Sequence, residues 1–269
     1  TGQTTIVENR ALTAPDDGAE VRHVVLDFGH APCTILEGQS VGILPPGFDD
    51  LGRPHHIRLY SVASARDGEQ AGTKRVAFTV KRVLADHNGK AVRGVCSNYL
   101  CDLPPGSQVS FTGPVGDTFL MPDAPMTSLL MICTGTGIAP MRGMIQRRNR
   151  VPRYLGGPMA LFYGGRTPAE LPYHDELESL PAGLVELHCA YSRVPGQTRR
   201  YVQDLLRDQS ELVSRLILRE RCYVYLCGLT GMELGVHDAL ADILRAAGAD
   251  WDQLQPQLVS EGRYHVEVY

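Results

Sequence analysis

The rhythm of the chain changes at Ser128. Before it stand short runs broken by turn residues: "VRHVVLDF", "QSVGIL", "HIRLYSVA", "RVAFTVKRV" and "GSQVSFTGPVG". Side chains that alternate apolar and polar over four to eight residues predict strands, and a series of such strands predicts a barrel-like or sandwich-like β half. After it, each apolar run leads into a turn and a helical pattern. "SLLMIC" precedes "GTGIAPMRGMIQRR", "MALFYGG" precedes "YHDELESL", "LVELHCAYS" precedes "RRYVQDLLRDQ", and "CYVYLC" precedes "GMELGVHDALADILRAAG". Strand–helix alternation predicts a parallel sheet covered by helices. The junction falls at "MPDAP", residues 121 to 125, so the expected domains are 1–123 and 124–269. A chain of 269 residues has room for two ordinary cores.

Two polar islands, "RLYS" at 58–61 and "CSNYL" at 96–100, interrupt strand-like regions of the first half. Alternation alone gives no reason for them. The seven cysteines include no C-x-x-C pair, which disfavours a disulfide framework and a zinc knuckle. Cys96 and Cys101 have the first gap of a plant-type iron–sulfur cluster, but Pro104 stands where the third ligand belongs. Any electron chemistry therefore needs a bound organic cofactor, and no metal is expected. No apolar run approaches the roughly 18–20 residues of a membrane helix, and the first ten residues lack a signal-peptide pattern. A cytoplasmic protein is expected. Thr1 in place of a methionine points to a chain trimmed or cut from something longer. A net charge of −4 names no partner class, and nucleic acid is not expected as a ligand.

"CTGTGIAP" (133–140) follows an apolar run and opens a helical pattern, the setting in which glycines bring a backbone up to a pyrophosphate. The same residues also suit an ordinary strand-to-helix turn with proline in its first turn. "YSRVPGQTRRYVQ" (191–203) offers Ser192, Arg193, Arg199, Arg200 and Tyr201 without an acid. Guanidinium forks and hydroxyls suit a 2′-phosphate, whereas a free 2′-hydroxyl is usually held by a carboxylate. The alternative is a solvated basic loop. Cys227 in "YLCGLTGM" sits at the end of an expected strand, where a buried structural cysteine is also common. "YHVEVY" reads as a last strand whose final aromatic ring is free to move.

Taken in order, RLYS (58–61), GVCSNYL (94–100), GPVG (113–116), GTGIAP (135–140), the SR…RRYVQ stretch, CGLTGM (227–232) and the final VEVY resemble plant-type ferredoxin–NADP reductases. The resemblance implies an antiparallel β-barrel that holds FAD, followed by an α/β parallel-sheet domain that holds NADP(H), with nicotinamide and flavin meeting at the domain cleft. It implies that Arg58 pairs with the FAD pyrophosphate, that Leu59 and Tyr60 lie along the flavin, and that Ser61 hydrogen-bonds near its N5. Thr79, Val80 and Lys81, with Val95, Cys96 and Ser97, match segments around the FAD phosphates and adenosine. Thr136, Gly165 and Arg166 match pyrophosphate-side contacts of NADP. Ser192, Arg193, Arg199, Tyr201 and Gln203 match the grip on its 2′-phosphate and adenine, and Gly228 and Leu229 follow Cys227. The residues implied in catalysis are Ser61, Cys227, Glu267 and Tyr269, the last covering the flavin until nicotinamide displaces it. One departure is Ala85, which stands where the family stacks a tyrosine on the FAD adenine.

The implied activity passes electrons between NADPH and a ferredoxin-type or flavodoxin carrier. Arg142 to Arg153, a stretch with five arginines and no acid, with Lys74, Arg75, Lys81 and Arg82, is expected either to steer an acidic carrier or simply to solvate a helix end. A second reading is a reductase module serving an oxygenase, as in the benzoyl-CoA oxygenase system. A third is a non-catalytic nucleotide-binding protein on the same fold.

Overall fold

The computed structural model describes residues 1–13, 19–29, 34–86, 88–152, 155–219 and 221–269; Cys33, one of the seven cysteines, and Arg153 lie outside them. Contacts divide the chain into two units, Thr1–Leu120 with Arg142–Arg147, and Met121–Met141 with Arg148–Tyr269.

The first unit is an antiparallel sheet of β1 (Gly2–Ala11), β2 (Val21–Asp27), β3 (Ser40–Leu44), β4 (Arg58–Ser61), β5 (Arg75–Lys81) and β6 (Gln108–Val115). Its order is β4-β3-β6-β1-β2-β5. The two edge strands do not stay open. A bridge between Val62 and Phe78, and a 2.8 Å bond from the Ala63 N–H to the Ala77 carbonyl, join the end of β4 to β5 and close the sheet into a barrel. Closure removes the unpaired edges that would otherwise recruit other strands. The interior is filled by Ile6, Val24, Leu26, Val41, Phe78 and Val109.

"CSNYL", read as strand-like, is instead the middle of helix α1 (Val95–Asp102). Gly94 has no room for a side chain, since a Cβ would lie 2.8 Å from both Ser97 Oγ and Val83 Cβ. Asn98 Nδ2 donates to the carbonyls of Val83 (3.0 Å) and Gly94 (2.8 Å), and Ser97 Oγ donates to the Gly94 carbonyl at 3.3 Å, so two polar residues of the island close the helix start. Cys96 and Leu100, four apart, turn into the barrel core.

The second unit contains β7 (Ser128–Thr134), β8 (Met159–Gly165), β9 (Glu186–Tyr191), β10 (Cys222–Gly228) and β11 (Tyr264–Val268). They form a parallel sheet in the order β11-β10-β7-β8-β9. The helices are α2 (Ile138–Asn149), α3 (His174–Glu178), α4 (Val202–Asp208), α5 (Ser210–Ile217), α6 (Thr230–Ala246) and α7 (Trp251–Ser260). Helix α6 buries Met232, Val236, Ala239, Leu240, Ile243 and Leu244. That spacing makes one apolar stripe, and each fully buried leucine on it contributes about 1.5–3 kcal/mol. The Arg142–Arg147 part of α2 groups with the first unit: Arg142 forks onto Glu69 (2.8 and 2.7 Å) and reaches the Ala63 carbonyl (2.8 Å), while Gln146 accepts from the Ala65 N–H at 2.7 Å.

Candidate functional site

In the parallel sheet the chain leaves β7 for β8 and β9 on one side and returns to β10 and β11 on the other. The turns after β7 and β10 therefore lie side by side at the carboxyl edge, where open α/β sheets take ligands. They interlock backbone to backbone. A Cβ on Gly137 would lie 2.2 Å from the Cys227 carbonyl oxygen, and one on Gly228 (φ +148°) would lie 2.3 Å from Thr134 Oγ1. The Leu229 N–H donates to Thr134 Oγ1 at 3.2 Å. The turn Gly135–Gly137 has no side-chain cap, which leaves amide donors facing outward at the head of α2. Thr136 Oγ1 lies 2.5 Å from the phenol oxygen of Tyr269.

One row of the sheet carries Cys133, Cys227 and Glu267 in register on neighbouring strands, continued by Tyr163 and Cys189 on the other side. Register partners point to the same face, so these groups form a polar band across the sheet. Burial pushes the Cys227 thiol up to about 12, with the Glu267 carboxylate adding to the effect. Burial also raises Cys133 well above its ordinary value, and Glu267 above 4.5. Cys227 is thus a neutral thiol at pH 7, suited to shape a pocket wall rather than to attack. Glu267 is a carboxyl that holds its proton more readily than an exposed one.

After β9 the chain forms a basic loop. Both the N–H and the hydroxyl of Ser192 donate to the Gly165 carbonyl (3.0 and 3.2 Å), and the Arg193 N–H donates to the Arg166 carbonyl at 2.8 Å. Arg200 is spent on Asp208, and Arg166 lies 3.5 Å from Glu170. Arg193 and Arg199 are exposed and pair with no acid among the described residues. The exposed ring of Tyr201 stands beside them at the start of α4, its N–H held by Asp204 Oδ2 at 2.8 Å. Gln203 is turned toward α6, where a Cβ on Gly235 would lie 3.0 Å from its amide.

In the barrel unit β4 exposes Arg58 and Leu59 and half-buries Tyr60 and Ser61. The Arg58 guanidinium has only the Ile57 carbonyl, at 3.3 Å, and the Ser61 hydroxyl has no partner among the described residues. Burial beside the Cys96 thiol raises the Tyr60 phenol. Lys81 and Val95 are exposed and Thr79 is buried. Three residues of the segments matched to the FAD phosphates and adenosine keep their side chains inside the unit. Val80 is a core residue, Cys96 is buried with its sulfur 3.9 Å from the Ile43 carbonyl, and the Ser97 hydroxyl is occupied by the Val83 N–H (3.2 Å) and the Gly94 carbonyl (3.3 Å). Register explains Val80, since it alternates with exposed Lys81. Helix phase explains the other two. Only main-chain groups of these residues remain to meet a ligand.

Residues 131–238 match the family model of the oxidoreductase NAD-binding domain. The chain is 39% identical to the cyanelle ferredoxin–NADP reductase of Cyanophora paradoxa over 98% of this chain and 75% of that one. It is 36% identical to the ferredoxin–NADP reductase of a Spirulina species over 98% of this chain and 93% of the relative. This chain belongs to the ferredoxin–NADP reductase family. The fold agrees: the ferredoxin–NADP+ reductase of Plasmodium falciparum with 2′P-AMP superposes with a TM-score of 0.76 at 23% identity, covering 99% of this chain and 95% of that one. All of these relatives are named as ferredoxin–NADP reductases, and none supports a module for a benzoyl-CoA oxygenase. Among the described residues no helix is long and apolar enough to cross a membrane.

For this reductase the cation run needs correction. Arg142 is buried on Glu69, and Arg148, 2% exposed, donates to the carbonyls of Thr127 (3.2 Å) and Gly157 (2.9 Å). Arg147 lies 3.8 Å from buried Glu37, and Arg75 and Arg82 are paired with Asp27 and Glu20. Neither Arg142 nor Arg148 can greet a carrier. Sequence reasoning passed over Thr134 and Gly137, which lock the two turns together, although both lie within the "CTGTGIAP" segment that drew attention.

Proposed function

We propose that this reductase passes electrons between NADPH and a one-electron ferredoxin-type carrier through FAD held on the barrel unit, within 1–123, with NADP(H) held within 124–269. The observation that carries the nucleotide choice is the loop after β9. Two exposed guanidinium groups, Arg193 and Arg199, have no acid partner among the described residues and stand beside a hydroxyl and an exposed aromatic ring. This donor set fits a 2′-phosphate and an adenine. The barrel residues fit a dinucleotide as well: Arg58 offers a guanidinium with only a carbonyl partner, helix α1 begins without a side-chain cap, and Ser61 offers an unpartnered hydroxyl.

FAD, when bound, takes two electrons together from the nucleotide and releases them singly to the carrier. In our reading Arg58 and the first-turn amides of α1 bind its phosphates, and Tyr60 packs against the ring. Leu84 and Val92 are exposed beside Ala85, which stands where the family has a stacking tyrosine, and would offer the adenine aliphatic surface instead. Ser61 Oγ holds a proton near the reacting nitrogen, and the raised carboxyl of Glu267 accepts and returns one. Cys227, kept neutral, orients rather than reacts. A flavodoxin-type carrier is the alternative acceptor, and the same assay scores it.

The test is a visible spectrum after FAD reconstitution, without oxygen. NADPH is expected to bleach the flavin bands far faster than NADH. The double substitution Arg193→Ala and Arg199→Ala should raise the NADPH requirement by about 10- to 100-fold while leaving NADH unchanged, as loss of charge-assisted bonds predicts. Equal rates with the two nucleotides in the unaltered protein would defeat the assignment.

A further inference from the structure

Tyr269 is fastened by its backbone and held at its tip by one turn. Its N–H donates to the Gly228 carbonyl at 3.0 Å, and its carbonyl oxygen accepts from the Thr230 N–H at 3.3 Å. The preceding residues pair in register along β10, with Val268 against Gly228. The main chain cannot shift without breaking that strand pairing, so side-chain rotation is the freedom left to the ring. Although 58% of the residue is exposed, its phenol oxygen is drawn inward to Thr136 Oγ1 at 2.5 Å, with either hydroxyl able to donate. A 2.5 Å separation is at the short end for O–H···O bonds.

Thr136 is a rigid anchor. It sits in the Gly135–Gly137 turn, and Gly137 is pressed against the Cys227 carbonyl so closely that a Cβ there would lie at 2.2 Å. The Thr136 hydroxyl that holds the phenol, and the amides beside it at the helix head, are also groups that an incoming phosphate oxygen would seek. A phosphate oxygen at pH 7 accepts but does not donate, so it would take the Thr136 hydroxyl as a donor.

We propose that Thr136 is a positioning residue for Tyr269: its hydroxyl catches the ring, and a phosphate group entering the Gly135–Gly137 turn takes over that hydroxyl and frees it. This rests on the reading of that turn as the pyrophosphate site of NADP(H). Arrival of the pyrophosphate thereby loosens the ring before the rest of the nucleotide competes for its place. The catch also sets a cost on nucleotide binding, because each binding event must break it.

The experiment uses the full chain labelled with 3-fluorotyrosine, with the ¹⁹F resonance of residue 269 identified by its loss in Tyr269→Phe. In the unaltered protein, sodium pyrophosphate should move that resonance. Thr136→Val should place it near the released position before any ligand is added, and pyrophosphate should then move it little; Thr136→Ser should restore the original behaviour. NADP+ should bind Tyr269→Phe about two- to tenfold more tightly than the unaltered chain, the range of one net hydrogen bond. A Thr136→Val resonance that coincides with the unaltered one, or no response to pyrophosphate in the unaltered chain, overturns the catch. If NADP+ binds nowhere, the nucleotide reading fails on its own, and the ligand-free comparison of Thr136→Val with the unaltered chain still decides whether the catch exists. Should Thr136→Val not fold, the Tyr269→Phe affinity and the Thr136→Ser resonance carry the decision.

Discussion

Strand β1 of the barrel unit and the central strands of the parallel sheet bury their residues differently, and the polar groups follow. In β1 only Thr4 and Ile6 are fully buried, and exposed residues recur along the strand, whereas β7 and β8 each bury six residues in succession. A sheet covered on both faces has no wet side on which to place an ion. The fully buried members of its polar band, Cys133, Cys227 and Tyr163, are accordingly groups that stay neutral at pH 7, and the carboxyl of Glu267 lies half-buried on the edge strand. The barrel unit, with water close by, buries ions in pairs. Glu69 with Arg142, and Glu37 with Arg66, are its examples. The contrast teaches that one unit is held partly by charge pairing and the other by close backbone packing.

The largest expected effect is therefore in the barrel unit. Arg142→Ala leaves the Glu69 carboxylate and the Ala63 carbonyl without their fork and should destabilise by about 3–5 kcal/mol, read as a lowered denaturation midpoint. A cost under about 1 kcal/mol would mean that the pair is not what holds this unit.

Gly137→Ala tests the packing side of the comparison. Its new methyl must displace a backbone carbonyl that lies 2.2 Å away, which should cost about 1–3 kcal/mol and also weaken NADP+ binding, because the turn would have to open. Unchanged stability, measured by urea unfolding, would show that the two turns are looser than the geometry indicates.

Without any substitution, pH distinguishes the units. Burial holds His23 of the barrel down to about 3, so the folded state refuses a proton that the unfolded chain accepts below 6.5. Stability should fall as pH drops from 6.5 toward 3, by at most about 1.4 kcal/mol per pH unit for this group. Glu267 has the opposite sign. Its raised value favours the folded state below 4.5 and costs stability as pH rises through the folded-state value. Glu267→Gln should thus stabilise at pH 7 and lose that advantage below pH 4.5, as followed by thermal melting. Parallel curves for the two proteins at all pH values would remove Glu267 from the account.

Much of the fold is legible in the sequence because period-two alternation and strand–helix alternation are local signals. β2 to β6 and all five strands of the parallel sheet fall where the pattern places them. The exceptions have physical causes. β1 is rich in threonine and polar residues, and its pairing with β6 joins residues more than a hundred apart, such as Gly2 and Phe111. α1 is short and built of poor helix formers, and its polar side chains bond to a neighbouring loop rather than along a stripe. α7 carries Pro256 inside it, and α5 follows α4 after a single residue, so neither announces itself.

The sequence by itself determined the order of the two halves, the glycine-marked turns, the basic loop after β9 and the family. These depend on which residues follow one another. Only the tertiary structure decided which of the candidate side chains are available. It turned Val80, Cys96 and Ser97 inward, withdrew Arg142 and Arg148 from the surface, and brought Thr136 to Tyr269 across 133 positions of the chain. Facing is set by strand register and helix phase, and long-range contacts are set by how strands stack into a sheet. A shift of one residue would reverse the strand-borne assignments while leaving the motifs in the sequence as they are.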